Sequence, residues 1–309
     1  MEKNKNKIDF EPIELRHREL YERYLLNEEL RGCEFSFTNL YAWGDQRIAR
    51  FGDNLLLLSK FGEKYIYPFP LGNDDIKKSI DAIILDAKER GIHCRISSIT
   101  REQKELIEAY YPGKFKIFYD LAYSDYIYDI NDLADLAGKK YDGKRNHINR
   151  FTFANPDYTA EPITRENLHL ARELAEGWYA ARMLDDPTAD FSCEKEALEK
   201  ALSSFDELGL EGLVLISCGE PLAFTLASHP RPEIFDVHFE KAKANVQGAY
   251  AAINREFAKY IRSKYPNVKF LNREEDMGLE GLRRAKESYH PCARAEKYKA
   301  DLLEVQGEN

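Results

Sequence analysis

A chain of 309 residues, 43% of them hydrophobic and 12% aromatic, holds enough apolar material for one large domain or two of ordinary size, which excludes a disordered chain. Its 54 acidic and 45 basic residues leave a formal charge of -9; this excludes a general affinity for nucleic acid but leaves room for a local basic patch that holds a phosphate. Cys33, Cys94, Cys193, Cys218 and Cys292 form no CxxC pair, the charged start Met1–Lys7 precedes no apolar segment, and the longest aliphatic block, Leu55 to Leu58, is far too short to span a bilayer, so the expectation is a cytoplasmic protein, at most peripheral to a membrane and without structural zinc.

Leu15 to Leu30 carries helical periodicity. Phe35, Leu40 and Trp43 predict a shorter helix whose aromatic face belongs to a core rather than a ligand wall. Three short strands follow, Arg47 to Phe51, Leu55 to Ser59 and Lys64 to Tyr67, divided by the turn signals Gly52-Asp53-Asn54 and Gly62. Asp74 to Arg90 reads as an amphipathic helix stopped by Gly91, and Ile92 to Ser97 as a strand. Thr100 with Gln103 makes the capping box of a further helix, and Phe115 to Tyr119 is again a strand. A break in organisation falls between residues 125 and 140, after the strand Tyr126 to Tyr128 and where Gly138 opens a polar segment.

That segment is the most basic of the chain: Lys139, Lys140, Lys144, Arg145 and Arg150 stand against the single acid Asp142. On a helix Ile148 and Phe151 face inward, and Lys144, Arg145 and His147 are expected off that side. A surface helix balancing an acidic protein and a helix that binds phosphate or carboxylate both fit these residues. Tyr158 to Ile163 is a strand; Leu168 to Met183 and Cys193 to Leu208 are helices. Asp185-Asp186 between them is read as a helix terminus and loop rather than a metal site. Leu213 to Cys218 and Leu222 to Ser228 form a hairpin around Gly219-Glu220-Pro221. The next strand, Ile234 to Glu240, alternates, with Phe235, Val237 and Phe239 on one face and Asp236, His238 and Glu240 on the other. An imidazole and two carboxylates are thereby aimed in one direction, residue types suited to moving a proton near neutrality.

Lys241 to Tyr250 leads into a helix ending near Lys264. The order helix, strand, helix, strand of Asp74 to Tyr119 recurs in Gln247 to Asp301 at an offset of roughly 175 residues. Its strand, Val268 to Leu271, hands over to a helix marked by Leu279, Leu282, Ala285 and Tyr289, with Asp276 as N-cap and Pro291 as terminator. The connection Asn272-Arg-Glu-Glu-Asp276 is dense in donors, acceptors and charge, and open α/β sheets gather ligands at such carboxyl ends of strands. The plain alternative is a solvated connection whose Arg283, Lys286 and Glu287 face water.

Asn272-Arg-Glu-Glu-Asp-Met-Gly278, followed by Leu282-Arg-Arg-Ala-Lys286 and Ser288-Tyr-His-Pro291, resembles the C-terminal signature of the family of the phosphatidylglycerol lysyltransferase catalytic domain. The segments Lys139 to Phe151 and His238-Phe-Glu-Lys-Ala242 are similar to it as well, and the resemblance covers nearly the whole chain. The fold it implies is α/β (α+β): two GNAT-like (acyl-CoA N-acyltransferase-like) units in tandem, each a mixed sheet flanked by helices. Fem-type enzymes, which move amino acids from aminoacyl-tRNA onto cell-wall peptides, share it. Residues 1–130 and 131–309 are the expected units, the second carrying the active site. As a lipid-modifying enzyme of this kind, the chain would be expected to lack the membrane-embedded half of the full lysyltransferases. Lys144-Arg-Asn-His-Ile148 is similar to the pattern that opens the second unit of Fem-type enzymes, whereas Arg150-Phe-Thr-Phe153 departs from it. Acetyltransferases carry Gln/Arg-x-x-Gly-x-Gly/Ala at a pyrophosphate-binding helix start; aligned on Gly248, Asn245 and Tyr250 depart from that signature, which argues against coenzyme A.

The activity implied is transfer of an amino acid from aminoacyl-tRNA, rather than of acetyl from acetyl-coenzyme A, onto an amine or hydroxyl of a lipid head group, peptide or small molecule. His238 and Glu240 are the expected catalytic residues, with the base left open between them. Lys144, Arg145, Asn146, Lys241, Gly248, Asn272, Arg273, Asp276, Arg283, Lys286 and Tyr289 are expected to bind donor or acceptor, with Asp276 also ordering its turn, and no metal is expected. Two alternatives stand beside this reading: an acetyl-coenzyme A dependent N-acetyltransferase, and a non-catalytic module binding tRNA or a lipid head group. Coenzyme A binding separates the first alternative, and absence of turnover the second.

Overall fold

Short apolar segments divided by turns build two seven-stranded sheets in the computed structural model, which describes residues 8–26, 32–72 and 74–303. The chain divides into a unit of residues 1–124 with 295–309 and a unit of residues 125–294. The first contains β1 (Glu11–Pro12), α1 (Arg18–Leu25), α2 (Phe37–Ala42), β2 (Asp45–Phe51), β3 (Asn54–Phe61), β4 (Lys64–Pro68), α3 (Ile76–Arg90), β5 (Arg95–Ile99), α4 (Arg101–Tyr110) and β6 (Phe115–Tyr119). The helix expected over Leu15 to Leu30 is α1 preceded by a 3-10 turn, Leu15–His17; residues 27–30, like Met1–Lys7, lie outside the described residues. Thr100 and Gln103 form the reciprocal capping box at α4. Leu56, Tyr67, Ile80, Ile83, Ile96 and Ile107 pack into this unit's core.

The second unit contains β7 (Asp125–Asp129), α5 (Ile130–Asp135), α6 (Asp142–Ala154), β8 (Thr159–Pro162), α7 (Leu168–Asp185), α8 (Ser192–Ser203), β9 (Glu211–Ser217), β10 (Glu220–Arg231), β11 (Ile234–Ala242), α9 (Ala249–Lys264), β12 (Phe270–Asn272), α10 (Glu280–Glu287) and β13 (Ala293–Ala295). The last strand, β14 (Tyr298–Leu302), lies in the first sheet. Strand for strand the two sheets match: β1-β2-β3-β4-β5-β14-β6 and β8-β9-β10-β11-β12-β7-β13. In each, the fourth and fifth strands are parallel and joined by a helix, α3 or α9, and the sixth runs antiparallel to the fifth.

Two differences from the sequence-based plan follow. The counterpart of β6 is β13, not the chain end near Asp301, and the seventh strand of each repeat is exchanged. β7 follows β6 in the chain yet pairs with β12, while β14 follows β13 yet pairs with β5 and β6. Arg95 grips Asp301 through Nε and Nη2 at 2.5 and 2.6 Å, a bidentate pair that ties β14 to β5 and holds the Asp301 carboxyl below its usual range. The units therefore divide at 124/125 and reclaim the tail, where the sequence pattern placed a single cut at 130. A hydrophobic pattern marks a strand but does not say which sheet edge receives it.

Candidate functional site

The parallel pair β11/β12 is short. Register holds from Ile234 opposite Phe270 to Asp236 opposite Asn272; β12 then ends while β11 runs on to Ala242. On its other side β11 slips against β10. Leu226 faces Phe239 but Ala227 faces Val237, so His238 is the extra residue of a bulge. The bulge inverts the alternation. Phe235, Val237 and Ala242 all join the core that contains α9. Lys241 instead meets Trp178 and Tyr179 of α7. The expected row Asp236, His238, Glu240 is therefore broken: His238 and Glu240 point to different partners.

The turn after β12 serves both of them. Arg273 sends its guanidinium to Glu240 at 2.8 Å, and the neighbouring Glu274 sends its carboxylate to Nδ1 of His238 at 3.1 Å. Adjacent side chains diverge because Glu274 sits at φ +56, in the left-handed region. Such a backbone persists only when held, and here it is held three ways. Asn272, fully buried, accepts from the Glu274 N–H at 2.7 Å and donates to Asp125 at 3.0 Å. The Lys286 ammonium, buried beneath the turn, donates to the carbonyls of Arg273, Glu274 and Glu275 at 2.6, 3.1 and 2.5 Å, which uses all three of its protons. Asp276 accepts from Gly278 N–H at 2.8 Å, from Tyr126 at 2.6 Å, and from Arg283 through two bonds of 2.9 and 3.0 Å. The Arg283 guanidinium holds that carboxyl well below the usual carboxylate range. Asp276 is not the cap of α10, whose N-cap position is Leu279; it pins the turn instead.

His238 is enclosed, its side chain 1% exposed, with Nε2 at 2.8 Å from Ser228 Oγ. A carboxylate at Nδ1 selects the Nδ1–H tautomer, so Nε2 accepts from the serine hydroxyl. Arg273 and Glu240 are also largely buried. The guanidinium packs on the rings of Tyr289 and Tyr128, 4.9 and 5.7 Å from their centroids. Asn254, turned with its oxygen toward Arg273, accepts from Nε and Nη1 at 3.2 Å each.

Lys144 completes the cluster. Its Nζ lies 3.7 Å from the centroid of Tyr289 and meets no hydrogen-bond acceptor among the described residues. It was expected off the buried side of its helix, but three- and four-residue steps put Lys144, Ile148 and Phe151 on one stripe, and the lysine is half-buried there. Burial, with the Arg273 charge beside it, brings the amine down to about 8, and Glu240 opposes that fall.

The remaining expected residues lie apart from this cluster. Arg145 binds the carbonyls of Leu136 and Gly138 and the carboxylate of Asp142, closing the turn before α6. Asn146 is exposed. Lys241 is buried in an ion pair with Glu194, its Nζ 3.8 Å from the Trp178 ring centroid, and Trp178 in turn donates to the Tyr250 hydroxyl at 2.8 Å. Gly248 sits at φ +84 where a Cβ would overlap the His147 carbonyl, so the glycine is required for α6 to pack against α9. Sequence reasoning missed Glu274, Ser228, Asn254 and Tyr128 as members of the cluster. Glu274 stood inside the Asn272–Gly278 motif; the other three become visible only through sheet register and helix packing.

Compared with families of known proteins, residues 27–301 match the model described as phosphatidylglycerol lysyltransferase, C-terminal. The chain belongs to that family. Among solved structures it is similar to a conserved protein of unknown function from Bacteroides thetaiotaomicron VPI-5482 (38% identity, 96% of this chain and 100% of that one, TM-score 0.89). It is also similar to L-PGS from Bacillus licheniformis (20% identity, 93% and 92%, TM-score 0.65) and to FemX (12% identity, 95% and 97%, TM-score 0.59). The family's fold is two GNAT-like units in tandem, the arrangement that the paired sheets display. A search of curated proteins found no match. Among the described residues no helix is long and apolar enough to cross a membrane.

Proposed function

We propose that the protein is an aminoacyltransferase that moves an amino acid from aminoacyl-tRNA onto an amine or hydroxyl acceptor, with the parted ends of β11 and β12 as the reaction site. Membership of a transferase family supports acyl transfer as the reaction class. The observation that carries the placement is the paired turn: Arg273–Glu240 on one side and Glu274–His238 on the other, at the carboxyl ends of parallel strands and braced by Lys286 and Asp276. Acyl transfer from an activated ester asks for little covalent chemistry from the protein. It asks for orientation of the nucleophile, donors near the developing oxyanion, and a proton acceptor. A turn locked by three carbonyl bonds and a bidentate Asp–Arg pair supplies rigid orientation. Tyr250, engaged with Trp178, and Gly248, closed over by α6, leave the start of α9 unlike an open pyrophosphate cradle, which favours aminoacyl-tRNA over coenzyme A as donor.

The test is a thermal-shift panel of aminoacyl-tRNAs, uncharged tRNAs, coenzyme A and acetyl-coenzyme A. It is followed by transfer of radiolabelled amino acid to phosphatidylglycerol vesicles and to soluble amines. A ligand that binds the native state alone raises the melting temperature by mass action. A shift with an aminoacyl-tRNA followed by label transfer bears the reading out. A shift with coenzyme A and acetyl transfer replaces it with an acetyltransferase; binding without any transfer replaces it with a binding module.

A further inference from the structure

The cluster contains more acid and base groups than a transfer reaction needs, and most of them are occupied. His238 has a partner on each ring nitrogen and almost no exposed surface. Glu274 is held by that same imidazole, and Glu240 is paired with Arg273. Lys144 differs. It is half-buried, stands over the face of Tyr289, and among the described residues no acceptor engages its nitrogen. The charged groups that face it are Arg273 from the turn after β12 and Glu240 from β11; Tyr289, beyond the end of α10, supplies the aromatic floor.

Building on the aminoacyl-transfer reading, we propose that Lys144 is the proton acceptor of the site: its amine takes the proton from the attacking hydroxyl or amine and returns it to the ribose oxygen that leaves. The nucleophile's oxygen or nitrogen bonds to the ester carbonyl carbon and the carbon–oxygen bond to tRNA breaks. The proton taken up by Nζ passes to the departing alkoxide, so the lysine ends as it began. The amine lies near 8, inside the range where both forms are populated at neutral pH, as a general base requires. Desolvation and a neighbouring cation are the usual means of producing such a lysine. A nucleophilic role is chemically inferior, because acyl transfer to the amine makes an amide too stable to pass the group on. A purely electrostatic role makes a different demand: arginine would serve as well.

The experiment combines two readouts on the full chain. In the first, trace acetic anhydride labels lysines competitively across pH 6 to 10 and mass spectrometry follows each site. Lys144 is expected to titrate near 8, well below the ordinary lysine value, and to move up in Arg273→Met. In the second, lysyl-tRNA and phosphatidylglycerol vesicles are the substrates, with donor hydrolysis subtracted. The wild-type rate is expected to rise with pH and level off above about 8. Lys144→Arg, checked for an unchanged melting temperature and donor affinity, is expected to lose about 10²- to 10⁴-fold in kcat with little change in KM. Lys144→His is expected to keep partial activity with the acid limb moved to lower pH. Transfer retained in Lys144→Arg, a labelling midpoint equal to that of surface lysines, or recovery from the transfer reaction of Lys144 carrying the donor's amino acid would each overturn the assignment. A wild-type protein that transfers nothing from any charged tRNA refutes the aminoacyl-transfer reading itself, and the role of Lys144 with it. That result is distinct from active enzyme whose Lys144→Arg variant is also active.

Discussion

Replacing Lys144 with Met should stabilise the protein at pH 7 while removing the amine. An ordinary lysine titrates near 10.5 and this one near 8, so folding must carry a charge into a place that disfavours it. At ~1.4 kcal/mol per tenfold change in proton affinity the full difference corresponds to ~3 kcal/mol, and solvent screening of a half-exposed group reduces it to ~1–2 kcal/mol. The unfolded chain binds this proton more tightly than the native one, so wild-type stability rises with pH between about 8 and 10.5, and the penalty is complete below about 8. Methionine keeps the packing on the Tyr289 ring and has no charge to desolvate. Urea unfolding of both proteins at pH 7, 8.5 and 10 isolates this term, since every other titrating group cancels in the difference. Lys144→Met is expected to be ~1–2 kcal/mol more stable at pH 7, with the gap closing toward pH 10. A variant no more stable than wild type at pH 7, or a gap independent of pH, would refute the account of a desolvated amine. Stability gained by removing a functional group is the usual sign of a strained site.

Asp276→Ala removes a buried carboxylate that holds Tyr126, Gly278 and Arg283; it is expected to cost ~2–4 kcal/mol in urea unfolding at pH 7. Because that carboxyl is depressed in the native state, its contribution is present above about pH 4 and fades as pH falls below that, so the difference between the two proteins should shrink in acid. Lys286→Met leaves the carbonyls of Arg273, Glu274 and Glu275 without their shared donor. Beyond a loss of ~2–3 kcal/mol, faster hydrogen exchange confined to the turn around Glu274 is expected, and uniform exchange across the unit would contradict the bracing role. Gly248→Ala adds a Cβ against the His147 carbonyl at a positive φ and is expected to lower stability by more than ~1 kcal/mol; an unaffected melting temperature would show that α6 does not press on α9 there.

Much of the architecture is written locally. Hairpin glycines, the capping box at Thr100 and the apolar runs of β3, β9 and β10 depend on neighbours a few residues away, and these elements lie where periodicity puts them. The motif from Asn272 to Gly278 marked the charged turn for the same reason: its residues act within one turn and the helix after it. The failures have a common origin. One inserted residue at His238 reverses every side chain after it, and only pairing with β10 reveals that insertion. The strand exchange of β7 and β14 is decided by which sheet edge each meets, and the Arg95–Asp301 pair spans more than two hundred residues of sequence. Lys144 fitted a surface cation and a phosphate- or carboxylate-binding one equally until Tyr289, Arg273 and Glu240 were brought around it. The sequence by itself determined the elements, the repeat, the family resemblance and the position of the charged turn. Tertiary structure alone decided which of those charges are spent on each other, because a charge's chemistry is set by its surroundings rather than by its side-chain type.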